Sequence, residues 1–272
     1  MWITSLSNAR VKQIKKLRDR KERQETGLFY IEGLRIVTEA VQKNAPIELL
    51  ITAPELLTSE FGQELAISQV KRGVQVLELS AEVFKGLALK DGPQGMAAVV
   101  RQNWLPLARI TPTIGEDWVA LHEVADPGNL GTILRTHDAV AGAGVILLDH
   151  CTDPYDPTSI RASMGAIFSQ RIVKTTYEDF AEWKKRTGMA LVGTSDKAES
   201  DYHAYKYPTP LTLLMGSERQ GLSDDLWKLC DGVVSIPMNG SSDSLNLSVA
   251  TGVVLYEIFN QRRGSHGSGG GF

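Results

Sequence analysis

Cysteine is scarce: Cys151 and Cys230 are the only two, and neither sits in a CxxC pair. Two isolated thiols build neither a disulfide framework nor a thiolate metal site. Histidine is nearly as sparse, five residues scattered along the chain, so the pattern offers no metal centre. Long apolar runs are missing too. No stretch reaches the length of a membrane span, and the first twenty residues are basic without a signal-peptide core. The expectation is a cytoplasmic protein with no membrane partner. Two nucleotide signatures are also absent. The loop Gly128-Asn129-Leu130-Gly131 lacks the GxGxxG spacing of a dinucleotide fold, and the turn from Gly216 to Gly221 lacks the Lys-Ser/Thr ending of a P-loop. A nicotinamide-dependent enzyme on a doubly wound sheet is thereby reduced to a competing reading, which a titration with NAD decides.

What is present is globular composition, 42% hydrophobic and 22% charged over 272 residues, long enough for two domains. The net charge of −3 hides an asymmetry. Between Arg10 and Arg23 stand eight basic residues against two acidic ones, which leaves −9 on the rest of the chain. A basic segment on an otherwise acidic protein points to a local anionic partner. Val11, Ile14 and Leu17 recur at helical spacing, so Lys12, Lys15, Lys16 and Arg18 are expected on the outer face of an amphipathic helix. A helix face that is merely solvated is the plainer account of such a run.

Strands and helices alternate along the whole chain. Residues 1–100 read as a smaller α/β domain with strands at Leu28–Ile31, Ile47–Thr52, Val74–Leu79 and Met96–Val100. Residues 101–116, with Pro106, Pro112 and Gly115, read as a linker. Residues 117–262 restart the alternation: strands at Trp118–His122, Val145–Asp149, Ala190–Thr194, Leu211–Met215 and Gly232–Ile236, with helices between them. Gly142 and Gly144 close the first of these helices, where a positive φ is expected. Residues 263–272 read as a flexible tail. Such alternation implies a parallel sheet covered on both faces, with ligands at the carboxyl ends of its strands.

Three of those ends carry polar or glycine-rich loops. The first runs from Asp126 to Arg135; Asn129 is expected to cap the following helix, and Arg135 lies four residues beyond Gly131. In the second, Gly216 and Gly221 surround Glu218 and Arg219, which suggests close backbone approach to a ligand. The third follows Ile236-Pro237-Met238, where the proline ends the strand; Ser244 stands as an N-cap and a deeply packed helix is expected from Leu245.

In this order and spacing the loops resemble the three motifs of the SpoU (TrmH) family of RNA ribose 2′-O-methyltransferases, in the SPOUT superfamily. Asn129, Gly131 and Arg135 match the first, Gly216, Glu218 and Gly221 the second, and Ile236-Pro237-Met238 with Ser244-Leu245-Asn246 the third. The likeness covers residues 118–260 and extends more loosely to 1–100, where Phe29 to Arg35 (FYIEGLR) is similar to an L30e-type substrate-binding domain. The resemblance implies a C-terminal trefoil-knotted parallel-sheet domain, a homodimer, and S-adenosylmethionine near Thr194, Gly216, Ile236, Met238 and Leu245. It also implies Arg135 as the principal catalytic residue, with Asn129, Glu218, Ser244 and Asn246 arranging the reactants. Arg35 joins the basic helix in binding RNA. By analogy the substrate is ribosomal (23S) RNA, with transfer RNA, or a non-catalytic RNA-binding role, as alternatives.

Overall fold

The computed structural model describes residues 2–89 and 91–266. Two compact units emerge: one holds the N-terminal residues up to Gln102 together with Asp153–Ser169, the other Asn103–Thr152 and the residues from Gln170 onward.

The first unit begins with β1 (Trp2–Ile3), α1 (Ala9–Lys16) and α2 (Arg20–Thr26), followed by β2 (Leu28–Glu32), α3 (Leu34–Gln42), β3 (Ile47–Thr52), α4 (Glu60–Lys71), β4 (Val76–Leu79), α5 (Ala81–Leu87) and β5 (Met96–Arg101). Its five-stranded sheet has the order β1-β4-β3-β5-β2. The basic segment is two helices rather than one, broken between Leu17 and Asp19. Val11, Ile14 and Leu17 are buried against Leu79, Val83, Phe84 and Leu87, so the apolar spacing does what it predicts. Side chains cap the helices at Asn8, Ser59 and Ser80, each accepting from a first-turn N–H.

The second unit is an all-parallel sheet. Its elements are β6 (Asp117–His122), α6 (Pro127–Ala139) and β7 (Gly144–Leu148). The chain then passes through α7 (Pro157–Ser163), which belongs to the first unit, and returns as β8 (Arg171–Thr175). There follow α8 (Tyr177–Thr187), β9 (Ala190–Thr194), β10 (Ser200–Asp201), β11 (Leu211–Met215), α9 (Asp224–Leu229), β12 (Gly232–Ser235) and α10 (Leu247–His266). The strand order is β10-β12-β9-β11-β6-β7-β8. The central strands β7 and β11 are buried at every position, as strands covered on both faces must be. Trp118, Ile146, Phe180, Trp183, Leu191 and Leu214 fill the space on one face.

The glycines after α6 have a different cause from the one expected. The left-handed residue is Ala141, at φ 58°, and neither Gly142 nor Gly144 has a positive φ. They are glycine because a side chain has nowhere to go: a Cβ on Gly142 would collide with the His137 ring, and one on Gly144 with the Arg171 carbonyl. Of the expected tail, residues 263–266 continue α10 and 267–272 lie outside the described residues.

Candidate active site

All seven strands of the second unit run the same way, so the loops after β6, β11 and β12 leave from one edge. Register fixes their heights: Met215 pairs with Leu121, and Val234 with Thr194 on the intervening β9. The three sequence motifs therefore converge.

Asp126, not Asn129, caps α6. Its carboxylate accepts from the Asn129 N–H at 2.7 Å, and Pro127 follows at the first helical position. The Asn129 side chain is thereby released for other partners. Its Nδ2 donates to Glu218 Oε1 at 2.6 Å, while Glu218 Oε2 accepts from the Ala125 N–H at 3.2 Å. Asn246 Nδ2 in turn donates to Asn129 Oδ1 at 3.0 Å. Because an ionised carboxylate only accepts, the amide of Asn129 has one sensible orientation, and that fixes Asn246 as well.

Asn246 also ends the loop. Its Oδ1 accepts from the Ser248 N–H at 2.9 Å, the Ser248 hydroxyl at 2.7 Å and the Val249 N–H at 3.4 Å, so α10 starts at Leu247. The expectation that Ser244 caps a helix starting at Leu245 is corrected, because an asparagine two residues later reaches the free N–H groups first. Ser244 and Leu245 are left in the loop, Leu245 being 36% exposed.

The glycines of the second loop serve the loop itself. Ser217 and Gly221 exchange backbone hydrogen bonds at 3.0 and 2.9 Å, and a Cβ on Gly216 would run into the Gly221 carbonyl group. Gly221 takes a φ of 66°. This closed turn, rather than a ligand approaching the backbone, explains the two glycines, and it carries Glu218 at its tip.

Arg135 stands apart from this cluster. It is exposed, six residues along α6 from Asn129, on the order of 9 Å in rise, and has no hydrogen-bond or ion-pair partner among the described residues. At the neighbouring strand ends, Thr194 Oγ1 donates to Met215 Sδ at 3.3 Å; Ile236 and Met238 are half-buried.

Comparison with known proteins decides the family. Residues 118–256 match the SpoU rRNA Methylase family, and residues 8–98 match an MRM3-like substrate binding domain. The chain belongs to the SpoU family. A 23S rRNA (uridine(2479)-2′-O)-methyltransferase of Streptomyces viridochromogenes is 33% identical over 94% of this chain and 91% of that protein. A 23S rRNA (guanosine(2553)-2′-O)-methyltransferase of Bacillus subtilis is 28% identical over 94% of this chain and 98% of its own. The crystal structure of an AdoMet-bound rRNA methyltransferase from Sinorhizobium meliloti superposes with a TM-score of 0.88, at 38% identity over 97% of each chain.

Within this SpoU chain the strand-end groups fit an adenosyl cofactor. Half-buried Ile236 and Met238 offer apolar surface for a purine, and the Thr194 hydroxyl and the turn at Gly216 offer short polar groups beside it. The basic residues of the first unit divide into two groups. Lys12, Lys15, Lys16 and Arg35 are exposed. Arg18 is half-buried and donates to the carbonyls of Leu87 and Ala88 at 2.7 and 3.0 Å, closing the end of α5. Arg23, counted in the same charge run, is 1% exposed and belongs to the core.

Proposed function

We propose that this SpoU chain transfers the methyl group of S-adenosylmethionine to a ribose 2′-hydroxyl of ribosomal RNA, of the 23S class. One observation carries the reading: a continuous run of hydrogen bonds from Ser248 through Asn246 and Asn129 to Glu218 ties all three motif loops into one rigid group. The related enzymes named above act on different nucleotides of 23S rRNA, a uridine and a guanosine. The reading is accordingly carried to the RNA class and not to a nucleotide.

When bound, S-adenosylmethionine supplies an already activated methyl group, so the protein's work is orientation and charge. Thr194, Gly216, Ile236, Met238 and Leu245 hold the cofactor. Asn129, Glu218, Ser244 and Asn246 set the edge against which the sugar lies. Arg135 is a fixed cation with no partner among the described residues, suited to gripping a phosphate and stabilising negative charge as the 2′-oxygen loses its proton. The chain following β12 carries the family's trefoil knot. Residues 1–100 serve as the substrate-binding domain, and a ribosomal RNA substrate puts the reaction in the cytoplasm. The enzyme acts as a homodimer.

The test is Arg135→Ala, assayed with labelled cofactor on unmodified large-subunit RNA. Methyl transfer should be abolished while cofactor affinity stays within about tenfold, or about 1.4 kcal/mol. Equal loss of both would remove Arg135 from the chemistry. A protein that transfers no label to any ribosomal RNA would overturn the reading as a whole.

A further inference from the structure

The first unit contains a cavity of about 370 Å³, walled by residues 30–36, which include the Glu32 carboxylate, by residues 157–164, and by Leu89 and Gln94. Tyr30, Ile31, Arg35 and Ile36 come from β2 and α3, and Ile160 and Arg161 from α7. Most of its surface is apolar, yet two exposed guanidinium groups, Arg35 and Arg161, stand on it, one from each wall. Neither makes a hydrogen bond or ion pair among the described residues. An apolar floor with unspent cations on both sides is the complement of a nucleotide: a flat, weakly hydrated base between two phosphates.

The cavity is also built to keep its shape. Arg23, although part of the basic run, is buried and donates through Nε to Asp153 Oδ2 at 2.7 Å and through Nη2 to Asp156 Oδ2 at 3.4 Å. Asp156 caps α7, its other oxygen accepting from the Thr158 N–H at 2.8 Å. Phe29 packs on Tyr155 with ring centroids 4.6 Å apart, and on Phe168 at 6.3 Å. The second wall is thus clamped to α2 and β2 by a buried ion network and by aromatic contacts. Arg23 is a positioning residue: it is buried, its guanidinium is turned to Asp153, Asp156 and the Leu17 and Arg18 carbonyls, and it sets where Arg161 stands. A preformed wall lowers the ordering cost of binding.

Resting on the methyltransferase reading above, we infer that this cavity takes one unstacked nucleotide of the substrate RNA, its base against Ile36 and Leu89, with Arg35 and Arg161 on the phosphates either side of it. The site holds the RNA at a second point, within the first unit, independent of cofactor binding.

Three variants test it on unmodified large-subunit RNA: Arg35→Gln, Arg161→Gln and Ile36→Trp, the last filling the cavity without altering charge. Each arginine variant should weaken RNA binding about tenfold at 0.1 M salt and reduce the slope of log affinity against log salt by about 0.7, the value for one lost single-strand phosphate contact. Ile36→Trp should weaken binding to a similar degree with the slope unchanged. All three should keep wild-type cofactor affinity. Because both arginines are exposed, their variants fold, and a thermal melt checks this. Wild-type RNA affinity and slope in both arginine variants, with the unaltered protein active, would overturn this inference and leave the broader reading standing. If the unaltered protein neither binds nor methylates ribosomal RNA, both fall. Arginine variants that lose binding only to an acidic peptide, with RNA affinity unchanged, would assign the cavity to a protein partner and also overturn it.

Discussion

At the scale of the residue, Asn129 is where the three loops meet, and its amide separates one neighbour that only accepts from another that donates to it. Asn129→Asp would face the Glu218 carboxylate with a second one across a 2.6 Å contact. Because the pair is partly exposed, the loss in stability should be about 1 kcal/mol, while methyl transfer should fall at least a hundredfold. Adding Glu218→Gln reverses the polarity of that bond and keeps its geometry, so the double variant should regain most of the lost melting temperature. A single variant that melts like the wild type would mean the bond is not made in solution. The place of Asn129 among the converging loops was legible in the sequence; its freedom from capping was not. Asp126-Pro127 is itself a cap signal, and reading it as such frees Asn129 at once. Arg23 was not legible by any local rule, because a buried guanidinium is recognised only through Asp153, 130 residues away. Burial pushes the Cys151 thiol up to about 11 and the Cys230 thiol up to about 12.

At the scale of the element, α10 departs from its expected character in an informative way. Its apolar residues cover more than one face, which read from sequence as a deeply packed helix. The structure buries Val254, Leu255 and Ile258 but leaves Val249 51% and Tyr256 47% exposed. Seven residues apart, Val249 and Tyr256 lie on one face of α10. Under the homodimer proposed above, a second copy of the chain covers this face. Tyr256→Arg should therefore halve the mass measured by light scattering at micromolar concentration, with the melting curve of the monomer still cooperative. A wild-type protein that is already monomeric under those conditions would remove the dimer from the proposal. Parallel strands and most helices were readable here, since period and turn residues are local, but the break between α1 and α2 was not, and several strand ends lie a residue or two from where they were expected. The helix starts were off by a cap, and the tiny strands β1 and β10, two residues each, carry no period to read.

At the scale of the whole molecule, charge and chain path matter more than period. Alternation cannot reveal that Asp153–Ser169, a crossover by its position between two parallel strands, packs within the N-terminal unit. The salt links of Arg23 and the aromatic stack under Phe29 supply that information, and both are non-local. The same contacts divide the basic run into cations that face solvent and cations spent on the fold, a distinction net charge does not make. This sorting has a measurable consequence for RNA binding. Exchanging Lys12, Lys15 and Lys16 together for Gln removes three exposed cations, and should lower the salt slope of RNA affinity by about 2 to 3 if each meets a duplex phosphate. Exchanging Arg18 for Gln should leave that slope at its wild-type value, because its guanidinium is already engaged by the Leu87 and Ala88 carbonyls. The cost of that second change should appear instead as lower stability, through carbonyl groups at the end of α5 that lose their donor. A common drop in slope for both would mean that Arg18 leaves α5 to meet the RNA; an unchanged slope for the triple variant would take α1 out of the RNA-binding surface and leave its lysines as a solvated face.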